Sequence, residues 1–237
     1  MLEFLQTLSW AAVFQIIMID ILLGGDNAVV IALACRNLPA KQRMQGVLWG
    51  TAGAIILRVI LIAFALTLLA IPYLKIVGAL LLAWVAIRLL IPEEGEHGNI
   101  KSGVSIMSAI KTIIIADFVM SLDNVIAIAG AAQMADPSHQ LGLVIFGLLV
   151  SIPIIVWGST IVLKMIDRFP IIVTLGAALL GWIAGGLMVT DIAYTERFGE
   201  PSNMVFYGAH IAGAVLIVAI GKWMASRQAK KAITPAE

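Results

Sequence analysis

Residues 20–32 read DILLGGDNAVVIA, and residues 117–129 read DFVMSLDNVIAIA. Each stretch sets two aspartates and an asparagine into apolar sequence at the same spacing: Asp20, Asp26 and Asn27 in the first, Asp117, Asp123 and Asn124 in the second. Carboxylates and carboxamides are hard oxygen donors, suited to Mg²⁺, Ca²⁺ or Mn²⁺. Neither motif contains cysteine or histidine, which argues against zinc or copper as the intended ion. An ionised carboxylate at a bilayer centre costs about 2.5–3.5 kcal/mol, so four unpaired ones facing lipid would cost about 10 kcal/mol. They must therefore face the protein interior and be protonated, paired with a basic side chain, or neutralised by a bound cation. Arg58 and Lys111 are the fixed positive charges within or beside the apolar segments, and two cannot balance four. The remainder invites a divalent cation, protons, or the two in alternation. The competing account is salt-bridged or permanently protonated acids that only hold helices together, and duplication of the whole set weighs against it.

These residues must be positioned by helices. Asp20 and Asn27 are seven residues apart, as are Asp117 and Asn124, so each pair shares a helix face two turns apart, with Ser121 on the second stripe. Asp26 and Asp123 point about 120° away on an unbroken helix. They join the same site if the helix opens locally, and Gly24–Gly25 is a plausible place for that in the first motif. His210, in the last apolar segment, could relay protons or add a ligand, although a histidine packed between helices on one hydrogen bond is the simpler account. Arg58 and Ser121 are candidates for a counter-ion and a relay.

The chain of 237 residues is 61% hydrophobic and 12% charged, about half the charge of a soluble domain. Apolar segments near 5–34, 44–70, 72–91, 106–132, 140–163, 169–190 and 201–221 each approach the roughly 20 residues that cross a bilayer as a helix. The expected fold is therefore all-α, a polytopic membrane protein with seven transmembrane helices. With the N-terminus outside, twelve Lys and Arg fall on cytoplasmic segments against two outside, Lys75 and Arg197, which predicts an N-out, C-in orientation. Cys35 is alone, which excludes a disulfide framework and a thiolate cluster. The run ALAC at 32–35 lacks the preceding basic residue and the leucine of a lipoprotein signal, so the first helix is expected to be retained. Glu93, Glu94, Glu96 and His97 fall in a hydrophilic linker that reads as solvated rather than metal-binding. The tail from 225 to 237 reads as a basic extension lying against anionic lipid.

The two motifs belong to a longer duplication. LWG at 48–50 answers IFG at 145–147, again 97 residues on, and GALLLAWVA at 78–86 answers GAALLGWIA at 176–184 at an offset of 98. Three helices recur in order. An odd-numbered unit enters the membrane from the opposite side in its second copy, which is the inverted-repeat plan of many secondary transporters. The organisation expected is a first repeat over 1–90, a cytoplasmic linker over 91–105, a second repeat over 106–190, a seventh helix over 204–224 and a tail over 225–237. The seventh helix lies outside the duplication, and either packs the bundle or forms a homodimer contact.

GGDNAVVIA at 24–32 and DFVMSLDNVIAIAG at 117–130 resemble the TerC family of bacterial integral membrane proteins, within the LysE-type transporter superfamily. The short form without appended soluble domains is similar to the branch labelled YjbE or YkoY type. The resemblance implies a multi-pass protein of the bacterial cytoplasmic membrane engaged in manganese homeostasis, with Asp20, Asp26, Asp117 and Asp123 as its acidic residues and Asn27 and Asn124 beside them. The leading expectation is a secondary transporter exporting Mn²⁺ as cargo, with no tightly bound cofactor and no enzymatic activity. Oxygen-donor chemistry alone leaves Ca²⁺ and Mg²⁺ open. No nucleotide-binding motif is apparent, so an ion gradient is the expected driving force, with proton antiport the natural form. The alternative is a non-transporting accessory protein that binds metal and supplies it to exported enzymes. An intramembrane aspartyl protease fits poorly, because LGGD at 23–26 lacks the first glycine of GxGD and four duplicated aspartates are two too many. The partners expected are a divalent ion and membrane lipid, with nothing that calls for nucleic acid.

Overall fold

The computed structural model describes residues 10–64, 67–68, 71–91, 105–132 and 140–233, with a few side chains inside the helices, Asp123 among them, outside the described set. The linker acids Glu93, Glu94, Glu96 and His97, and the end of the tail, lie outside the described residues. The described chain is helical: α1 Trp10–Cys35, α2 Ala40–Ala63, α3 Leu74–Leu90, α4 Ile106–Ala132, α5 Gln140–Arg168, α6 Ile171–Val189, α7 Ile192–Phe198 and α8 Asn203–Ile233. Each of the seven apolar segments thus carries a helix, and α7 is a short addition between the last two.

By length and apolarity, four described helices can cross a membrane: Ala40–Ala63, Gly142–Arg168, Ile171–Val189 and Asn203–Gln228. Helix α1 makes a fifth if its arms Phe14–Asp20 and Gly25–Cys35, inclined at 46°, count as one span. The expected seven exceeds this count of four to five. Helix α3, at 17 residues, is about 26 Å long and falls just short of a full hydrocarbon thickness.

Helix α2 carries large apolar side chains on its outer face as well as its buried one. On α2 the buried stripe is Gly46, Val47, Gly50, Thr51, Ala54, Ile55, Arg58 and Leu61, while Leu48, Trp49, Ile56 and Ile60 point outward. Spacings of three and four keep that stripe on one face, so Arg58 is carried inward with the small residues. Large apolar side chains cost nothing against lipid, whereas helices approach each other where side chains are small.

The chain divides into two compact units, residues 1–70 with 106–164, and residues 71–105 with 165–237. In the first, α4 packs on both α1 and α2. Ile16 lies against Gly147 and Ala28 against Gly158, so α1 and α5 run in the same direction. Gly50 lies against Ile113, and Leu61 clusters with Val125, so α2 and α4 also run in the same direction. These contacts are related by the duplication offset. Moving 97 residues along the chain carries Ile16 to Ile113 and Ala28 to Val125, and moving back carries Gly147 to Gly50 and Gly158 to Leu61. The hydrophobic core of this unit gathers Ile16, Ile55, Ile128, Leu143, Val144 and Leu148.

The second unit packs α6 against α3 and α8. Gly181 faces the Gly213 backbone and Gly185 the Ala209 carbonyl, leaving no room for a Cβ at either glycine. Asp191, just beyond the C-terminus of α6, reaches the N-terminus of α3, which makes these two helices antiparallel. Its carboxylate accepts the N–H of Ala193 (2.8 Å) as the N-cap of α7. It also accepts those of Tyr73 (2.9 Å), Lys75 (2.9 Å) and Ile76 (3.3 Å) at the start of α3. Tyr73 takes a left-handed conformation (φ 66°), unusual for a residue with a Cβ, and its N–H is one of those held by Asp191.

Candidate functional site

Within the first unit, α1, α2 and α4 bring Asp20, Arg58, Asp117 and Ser121 together. One guanidinium Nη of Arg58 donates to Asp20 Oδ1 and the other to Asp117 Oδ1 (2.5 Å). Its Nε donates to Ser121 Oγ at 3.1 Å, and that hydroxyl donates onward to Asp117 Oδ2 at 3.2 Å. Arg58 and Asp20 are each 2% exposed, Asp117 is 4% and Ser121 is fully buried. With both acids and the guanidinium ionised, the arrangement would sum to one negative charge. The planar fork of arginine suits the task, since it presents N–H donors in fixed directions to two carboxylates at once.

Asp20 and Asp117 are equivalent across the 97-residue offset, but the counterpart of Arg58 is Ile155, a buried apolar residue. Two equivalent acids flanking one guanidinium need only a single basic side chain between them, and a second would compete for the same place.

The remaining motif residues are arranged differently. Asn27 is 4% exposed, yet among the described residues neither its Oδ1 nor its Nδ2 has a hydrogen-bond partner, and Asp20 Oδ2 is likewise unpartnered. Asn27 and Asp117 line a small cavity with Val30, Ile31 and Ile113, large enough for about one water molecule. Asp26 is half-buried, in the first turn beyond the bend of α1, where its Oδ1 accepts the Asn27 N–H at 2.9 Å. A carboxylate at a helix start meets free N–H groups and the positive end of the helix dipole. The bend lies between Asp20 and Gly25, beside the Gly24–Gly25 pair. Asn124 is half-buried and engaged in an interaction, and the Asp123 side chain lies outside the described residues. Lys111 is exposed, which leaves Arg58 as the cation within this cluster. Among the described residues, no three His, Cys, Asp or Glu side chains converge to hold a metal.

His210 belongs to the second unit. Its Nδ1 donates to the Phe206 carbonyl at 2.7 Å, which requires the proton on that nitrogen. The ring packs between Trp182 (4.8 Å between centroids) and Phe206 (4.3 Å), against Gly186. This is the packed histidine with one hydrogen bond. The residue that sequence reasoning missed is Asp191. An aspartate just before a short helix is a readable N-cap signal, but its bonds to residues 73–76, more than 110 positions away, have no local signature.

The chain matches the family described as integral membrane protein TerC over residues 5–230, nearly its whole length. It belongs to the TerC family. Among curated TerC-like relatives, the membrane protein YjbE of Bacillus subtilis is 45% identical over 176 residues, covering 74% of this chain and 78% of its own. YkoY of the same organism is 22% identical over 217 residues, covering 82% and 67%. The inner membrane protein YgdQ of Escherichia coli is 25% identical over 189 residues, covering 73% and 77%. No solved structure matches the chain. The TerC membership makes this a multi-pass integral membrane protein.

Proposed function

We propose that this TerC protein is a secondary transporter, not an enzyme, that exports a divalent cation from the cytoplasm, with Mn²⁺ as the favoured cargo. The observation that carries this reading is the buried Asp20–Arg58–Asp117 cluster. The acids at matching positions of the two motifs share one guanidinium, beside an asparagine whose carboxamide has no partner among the described residues. A purely structural ion pair would close its charge and satisfy its neighbours. Here hard oxygen atoms remain available, as a cation site of Mg²⁺, Ca²⁺ or Mn²⁺ type requires. Manganese among these rests on the family resemblance.

In this reading the chain has seven spans, with the N-terminus outside, built as two inverted three-helix repeats in a bacterial cytoplasmic membrane. The exchanged contacts Ile16–Gly147 and Gly50–Ile113 support the repeat. Asp26 and Asp123, with Asn27 and Asn124, supply the core ligands, and Asp20 and Asp117 complete the site or carry exchanged protons. Carboxylates that trade a metal for protons give proton antiport as the coupling.

The test is cell-associated manganese, by elemental analysis, in an exporter-deficient, manganese-sensitive strain. Empty vector, wild type and Asp26→Asn/Asp123→Asn are compared at matched membrane expression. Only wild type should lower manganese. A wild type that leaves it unchanged would overturn export, and an active double variant would overturn the site.

A further inference from the structure

The guanidinium of Arg58 occupies the position where a cation of the cargo would be most welcome, between two buried carboxylates on separate helices. We propose that Arg58 is a built-in competitor for the transported ion. It holds Asp20 and Asp117 together in the cation-free state and gives up Asp117 when a divalent ion binds. This rests on the reading of the protein as a divalent-cation transporter and adds the device that keeps its site from trapping the ion.

Three observations lead to it. First, Arg58 is not a symmetric structural element, since its counterpart across the duplication is Ile155. The two acids therefore share one cation that arrives from α2 alone. Second, its two anchors differ. Asp117 borders the water-sized cavity together with Asn27 and has Ser121 on its other oxygen, whereas Asp20 does not line that cavity. An ion entering the cavity would meet Asp117 and Asn27, which line it, before Asp20, which does not. Third, buried polar atoms are nearly always paired. Among the described residues, both polar atoms of Asn27 and Asp20 Oδ2 are not, although all are enclosed.

Charge decides the direction of the exchange. A buried guanidinium stripped of both partners is strongly disfavoured, so it keeps Asp20 while releasing Asp117. With both acids ionised, the closed cluster would carry one negative charge, and one positive charge with a divalent ion added. A further carboxylate is then required, which gives the second aspartate of a motif, Asp26, its part. An ion held against a resident positive charge binds less tightly than the bare acids would allow and is released when the guanidinium returns. Arg58 thereby exchanges affinity for turnover.

The experiment uses the full-length protein in lipid nanodiscs with Mn²⁺ as the probe. Bound and free ion are read by electron paramagnetic resonance, and thermal unfolding is followed at each Mn²⁺ concentration. Wild type, Arg58→Gln and Asp20→Asn/Arg58→Gln are compared. The last variant keeps the net charge of the cluster, so it remains informative if Arg58→Gln alone fails to fold. Loss of the competitor should tighten Mn²⁺ binding at least about tenfold in either variant and enlarge the stabilisation by Mn²⁺. In cells, both variants should fail to lower manganese. Folded variants that bind Mn²⁺ no tighter than a binding wild type would overturn the competitor role and leave the transporter reading intact. Absence of Mn²⁺ binding in wild type and both variants would overturn both.

Discussion

Asp191→Ala should destabilise the second unit far more than an average substitution near a helix end. The carboxylate has no exposed surface and accepts four backbone N–H groups, from Tyr73 and Ala193 on Oδ1 and from Lys75 and Ile76 on Oδ2. It caps two helices at once. Loss of one N-cap costs about 0.5–2 kcal/mol, so two give roughly 1–4 kcal/mol. Donors left without water add to that figure. A total near 3 kcal/mol corresponds to a fall in Tm of about 6–12 °C for a chain of this size. Asp191→Asn separates the two caps. Its carbonyl oxygen can still serve Tyr73 and Ala193, but its NH₂ then faces the N–H groups of Lys75 and Ile76, so its effect should be about half as large. Thermal unfolding in detergent, followed by tryptophan fluorescence, gives the ranking. Amide exchange at Tyr73, Lys75 and Ile76 locates the damage. An Asp191→Ala protein within about 2 °C of wild type, with those amides still protected, would refute the double-cap account.

Gly50→Ala and Gly147→Ala should cost similar amounts, within about 1 kcal/mol of each other. The atoms nearest each new Cβ belong to an isoleucine side chain, Ile113 or Ile16; unequal costs in thermal unfolding would count against equivalence of the two repeats. Gly185→Ala should be worse than either, because its Cβ meets the rigid Ala209 carbonyl, and the loss should appear as a smaller monodisperse fraction on size exclusion. His210→Ala should lower stability by about 2–4 kcal/mol through the cavity left among Trp182, Phe206 and Gly186. Cell manganese normalised to folded protein should not change. A change there would restore the relay role.

Much of this protein can be read from its residues because a membrane leaves few options for a polar group. Seven apolar segments foretell the helices, since backbone groups in hydrocarbon must bond within their own segment. The repeated Asp and Asn positions foretell that α1 and α4 turn those faces inward, since four carboxylates cannot face lipid. The 97-residue offset, visible as DILLGGDN and DFVMSLDN, even anticipates which contacts recur. Ile16–Gly147 and Ile113–Gly50 follow the same shift.

What the residues could not disclose is who meets whom. Arg58 was visible as a candidate counter-ion, but not that it divides itself between Asp20 and Asp117, 38 and 59 positions away, while Asp26, beyond the bend of α1, accepts the Asn27 N–H. Nor does any local pattern say that Asp191 caps a helix starting at residue 74. Both depend on which helices lie side by side. That choice is made by small residues such as Gly50, Gly147 and Gly185, whose lack of bulk fixes the distance between backbones. Composition decides that a charge must be buried; only packing decides its partner.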